Sequence, residues 1–246
     1  MLPVTNLGSF KGTLHNLFAR DNPKKAPKQE LRMKCMRPGD SFTDTFDGDG
    51  AQSRLVGLLF INPRCELAKR EIIPLLEQYH HSAGRFTHFF FPGYGTGWPP
   101  GRPRDQRSVG IEIDGSQWKF SPTAFEEFRR DVEAQTKWRF SGETDLILTT
   151  ATFAAATKTV ELDFKEAITC SLEQLLRDEG APSVPAFFQK IFRFAEENSN
   201  SSAYNLSDSH LIATSKASLV SWVLSSLKME AYFKKNKHLA IRNISK

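Results

Sequence analysis

Lys137-Trp-Arg-Phe-Ser-Gly-Glu-Thr-Asp145-Leu-Ile-Leu-Thr-Thr-Ala151, followed after a connector by Thr159-Val-Glu-Leu-Asp163-Phe-Lys165, is the stretch that decides the fold. Runs rich in β-branched and apolar residues, broken at Ser141-Gly142 and again after Ala151, predict three short strands. Helices flank them. Upstream, Ser121-Pro122 forms a cap and first turn, and Phe125, Phe128 and Val132 recur at helical spacing to about Gln135. Downstream, Ala167, Ile168, Leu172, Leu175 and Leu176 predict an amphipathic helix over 165–177, ended by Gly180.

Nearer the N-terminus, Arg54 to Asn62 encloses the apolar run Leu-Val-Gly-Leu-Leu-Phe-Ile, the mark of a strand covered on both faces. Asn62-Pro63 then opens a helix toward Gly84, kinked at Pro74, and Arg85 to Phe91 predicts a second strand. Strand, helical crossover and strand make a parallel pair. Asp114-Gly115 sits between Val109–Asp114 and Gln117–Phe120 as a hairpin turn.

The expected fold is α/β, a mixed sheet flanked by helices, with a helical C-terminal region. That region holds a Phe-rich helix from Val184-Pro185 to about Glu197 and a last helix over 207–233. Three parts follow: an irregular basic N-terminal arm (1–52), an α/β domain (53–180) and the helical region (181–246).

The chain of 246 residues has net charge +5 and pI ≈ 9.1, with positive charge gathered in 11–37 and 228–246. Such ends suit phosphate-bearing partners such as nucleic acid, or are plain solvated surface. Cys35, Cys65 and Cys170 are too scattered for a disulfide framework or a zinc cluster. The first residues show no leader-like apolar run, so the expected compartment is the cytoplasm. The run Leu219–Leu227 is too short to span a bilayer, and no membrane association is expected.

In its order helix, strand, strand, strand, helix, the segment 122–178 resembles the core of the restriction-endonuclease-like nuclease superfamily. The matching residues are Asp145 in Gly142-Glu143-Thr144-Asp145 and the acid-x-Lys of Asp163-Phe164-Lys165, with Thr144 where the pattern carries a proline. The resemblance implies a magnesium-dependent nuclease with Asp145, Asp163 and Lys165 as catalytic residues. Asp145 and Asp163 would hold the metal, with Glu126 or Glu127 adding a ligand. Strand alternation puts Glu161, Asp163 and Lys165 on one face, and paired strands would let Asp145 approach Asp163. Two such carboxylates can share Mg²⁺, which would activate water while the lysine stabilises charge on phosphorus. The plain structural alternative is a half-exposed strand showing these three side chains to water, with Asp145 capping a turn.

Two other readings stand beside it. The loops after Phe60 and Phe91 place Asn62, Arg64, Tyr94, Trp98 and Arg102 where a nucleotide- or NAD-processing α/β domain holds phosphate and base. A non-enzymatic subunit would instead bind a protein partner through the N-terminal arm or the C-terminal helices. Cys65, near a helix start, is a further candidate as an activated thiolate. His80 and His81, adjacent on a helix, point apart and suit solvent better than a metal.

Overall fold

A computed structural model describes residues 7–20, 52–83, 87–96, 98, 105–113, 115–154, 159–179, 181–199 and 239–246. Its centre is a five-stranded mixed sheet in the order β2-β1-β6-β7-β8. These strands are β1 (Gln52–Ile61), β2 (Thr87–Phe90), β6 (Thr144–Ala154), β7 (Thr159–Ser171) and β8 (Leu239–Arg242). β1 runs parallel to β2 and antiparallel to β6, as the predicted crossover requires.

Apolar residues on consecutive positions of β1, from Leu55 to Ile61 apart from Gly57, are buried because both faces of the sheet are covered. Adjacent residues of β2 show how. Phe90 meets Phe10 of α1 (Leu7–Arg20), whose ring also meets Phe128 of α3 (Pro122–Gln135). Phe89 points the other way, onto Phe188 and Phe192 of α5 (Val184–Ser199), and Tyr79 of α2 (Leu76–Ala83) packs on the same pair. So α1 and α3 cover one face, and α2 and α5 the other. Gly57 is required by this packing: a Cβ there would lie 2.6 Å from the Phe89 ring.

The chain from β1 to β2 is helical, as expected, and irregular where Pro74 falls. A wide π-helical turn (Ala68–Ile72) and a 3₁₀ turn (Ile73–Leu75) precede α2, absorbing the hydrogen bond that proline cannot make. After β2, the strands β3 (Tyr94–Gly95), β4 (Arg107–Ile113) and β5 (Ser116–Phe120) form a small second sheet, including the expected hairpin. Ser121 then caps α3 by accepting from Ala124 N, as the Ser-Pro pair predicts.

Four expectations are corrected. Lys137–Phe140 is not a strand: Lys137 N donates to Ile244 O and Phe140 N to a Glu133 carboxylate oxygen, leaving no ladder to join. Its rings, Trp138 and Phe140, instead pack around Phe60. Residues 122–178 therefore supply two strands, not three. The helix predicted over 165–177 is reduced to α4 (Leu172–Arg177), because 167–170 are buried in β7 between β6 and β8. In the N-terminal arm, 7–20 form a helix, with Leu7, Phe10 and Leu14 buried and Leu17 packed on the core. In the C-terminal region α5 is helical as expected, and β8 adds a strand; the helix expected over 207–233 lies outside the described residues. Among the described residues no helix is long and apolar enough to cross a membrane.

Candidate functional site

The parallel pair fixes one edge of the sheet as the place where loops gather. β1 ends at Ile61 and β2 at Phe90, so the segments after them leave the same edge. The antiparallel register Ile61↔Thr144 brings the start of β6 to this edge, and Asp145↔Ser171 brings the end of β7 and the start of α4. Four segments, 62–65, 91–94, 141–144 and 171–173, meet there.

The 141–144 turn is held from three sides. Asn62 donates through its side chain to Gly142 O (2.8 Å) and through its backbone to Glu143 O (3.3 Å). Asn62 Oδ1 accepts from Arg64 N, an Asx turn that shapes the loop after β1. Ser141 donates twice to Asp145, from N to Oδ2 (2.8 Å) and from Oγ to Oδ1 (2.7 Å). Glu173 accepts from both Thr144 N (2.9 Å) and Thr144 Oγ1 (2.8 Å), tying α4 to β6. Gly142 takes φ 93°, a left-handed conformation that suits glycine, between these anchors.

This edge is acidic and partly dry. Burial raises the Asp145 carboxyl above the usual range, more than the Ser141 bonds lower it, and Glu143 adds to the rise. Burial does the same to Glu173, opposed by the Thr144 bonds and reinforced by Glu143. The Cys65 thiol, 3.9 Å from Gly142 O, is pushed up by burial, then by Glu173 and Glu143. That reverses the expectation of an activated thiolate, because burial first and the neighbouring carboxylates second disfavour the charged form. Tyr94 is buried with its hydroxyl toward Ile61 O (3.4 Å), and burial raises it strongly.

Of the residues singled out for a ligand, Asn62, Arg64 and Tyr94 do meet at this edge. Arg64 is exposed, whereas Tyr94 is 1% exposed and serves as a wall. Trp98 donates from Nε1 to Gly95 O (3.1 Å) on the loop after β3, and Arg102 lies outside the described residues. The residues singled out for a metal are not brought together. Asp145 pairs across from Ser171 and Asp163 across from Thr150, five residues farther along β6, or about 17 Å. Lys165 stays beside Asp163, its backbone N donating to Asp163 Oδ1 (3.0 Å), and its side chain is exposed. Glu126 is engaged by Arg129 at 2.6 Å.

This set does not fit a shared magnesium, since Asp145 and Asp163 sit too far apart and Asp145, Asp163 and Glu126 each already hold local partners. Asp145 instead caps a turn, as the plain structural alternative held. Among the described residues no group of three or more His, Cys, Asp or Glu side chains could hold a metal ion. Sequence reasoning missed Glu143 and Glu173 as members of this edge. Ser171 is the N-cap of α4, accepting from Gln174 N, and that Ser-x-x-Gln signal would have located Glu173 in a helical first turn. No protein-family model, curated protein or solved structure matches this chain.

Proposed function

We propose that the chain is a nucleotide- or NAD-processing α/β domain whose ligand sits at the edge formed by the ends of β1 and β2. One observation carries the reading. The segments after β1 and β2 leave one edge together and then part to opposite faces, toward α2 on the side of α5 and toward α3 on the side of α1. Ligands of open α/β sheets bind where successive loops diverge in this way.

The local chemistry assigns roles. Arg64 is an exposed cation at the edge, suited to a phosphate oxygen. Asn62 spends its side chain fixing the 141–144 turn and the Arg64 backbone, so it positions the loop. Glu143, near Cys65, supplies a carboxylate suited to accept from a ribose hydroxyl or an amine, while Glu173 spends its oxygens on Thr144. Glu173, whose carboxyl burial raises, is also suited to proton transfer.

The test is a panel of nucleoside phosphates and dinucleotides, read by thermal unfolding and by chromatographic loss of the added compound. A ligand at a hundred times its Kd stabilises by about 2.7 kcal/mol, which such a shift resolves. Arg64→Ala, at an exposed position, should weaken binding about tenfold or more while leaving the unliganded unfolding temperature in place. No response to any member of the panel would overturn the reading. Divalent-metal-dependent cleavage of nucleic acid, indifferent to Arg64→Ala, would favour the nuclease class instead.

A further inference from the structure

We propose that Leu239–Lys246 is an exchangeable strand, and that the slot it fills accepts the same segment from a second copy of this chain. The inference is independent of the ligand site. Its ground is how that segment is held. β8 pairs with β7 from Ala167↔Arg242 to Cys170↔Leu239. Beyond it, Ile244 N donates to Phe164 O (2.9 Å), and Ile244 O accepts from Lys137 N (2.6 Å). Ser245 bridges Thr136, and Lys246 Nζ donates to Ala134 O (2.8 Å). Ile244 is 3% exposed and is the apolar anchor of the set.

The slot is thus made largely of backbone groups from β7 and the end of α3, and it reads an extended strand with an apolar residue at one place. β7 leaves those groups available for a physical reason. Its register with β6 jumps from Leu148↔Ile168 to Thr150↔Asp163, so residues 164–167 stand opposite Thr149 alone. In that bulge the segment bonds Phe164 O, and from Ala167 to Cys170 it pairs with the side of β7 that faces away from β6.

Covalent connection does not dictate whose slot is filled. Between Ser199 and Leu239 lie residues 200–238, a length of 39 that can reach up to about 130 Å. A folded chain of this size has a radius of gyration of about 18 Å, so a neighbour's slot is as reachable as its own. Traded strands make the same contacts as closed ones, and exchange needs no new surface. A covalently linked partner acts at an effective concentration at most on the order of millimolar, so closure prevails in dilute solution and exchange in concentrated solution.

The experiment uses full-length chains bearing two different N-terminal tags, warmed together at about 1 mM, cooled and then diluted. The expected product is a mixed dimer recovered by successive capture on both tags. It should persist for hours after dilution and be lost on warming, because separation requires each strand to leave its slot. Ile244→Asp in both chains should abolish it, with circular dichroism checking that the variant is folded. Should that variant unfold, persistence of the wild-type dimer after dilution decides alone. Absence of the mixed dimer, its dissociation within seconds of dilution, or an undiminished yield from folded Ile244→Asp chains would overturn the proposal.

Discussion

One end of the β6–β7 ladder and its middle both carry acids on strands, and they employ them differently. At the end beside Ile61, Asp145 is 4% exposed with both oxygens bonded to Ser141, and Glu173 grips Thr144 twice. In the middle, Asp163 is half-buried and accepts from the backbone of Lys165, whose side chain faces solvent. Burial raises the carboxyls of Asp145 and Glu173. An acid-x-Lys pattern therefore identifies a strand face, while the surroundings decide what an acid can do.

The largest effect that would sharpen this contrast comes from Asp145→Ala. It removes a buried carboxyl that accepts from the Ser141 N–H and O–H, and should cost about 2–3 kcal/mol. Chemical denaturation measures it. A loss within about 0.5 kcal/mol, as for an ordinary surface substitution, would make the two places alike.

A smaller effect is a change of pH response. Raised carboxyls mean that the native chain holds these protons more tightly than the unfolded one does. The sign follows: this contribution to stability is complete below the ordinary carboxylate range and is lost as pH rises through the raised values. The double change Asp145→Asn and Glu173→Gln should flatten that portion of the stability curve. An unaltered curve would show that burial at this end does not govern the protons.

Much of this architecture is legible in the sequence, and what is not has physical causes. Leu55–Ile61, the Ser121-Pro122 cap and the Asp114-Gly115 turn are local signals, and each element lies where they put it. Residues 167–170 read as helix because four consecutive buried residues, covered on both sides, have no period to separate strand from helix. Their fate depends on β8, more than 60 residues farther on in sequence, and no local pattern contains that pairing. The edge shows the same division. Asn62, Arg64 and Tyr94 follow from loops after parallel strands, but Glu173 joins them through the long-range register Asp145↔Ser171.

The smallest expected effects lie in the middle of the ladder, and they test the comparison from the other side. Asp163 and Lys165 share one strand face and meet through an exposed backbone-to-side-chain bond. Asp163→Ala and Lys165→Ala should each change stability by no more than about 0.5 kcal/mol, by chemical denaturation. Binding of any nucleotide found at the β1–β2 edge should stay within about twofold, because five residues of β6, about 17 Å, separate Asp145 from the position opposite Asp163. A loss well above 1 kcal/mol from either change would show a network in the middle as tightly bonded as that around Asp145. A large fall in binding would mean that one ligand reaches both places, and that the acids there belong to a single site.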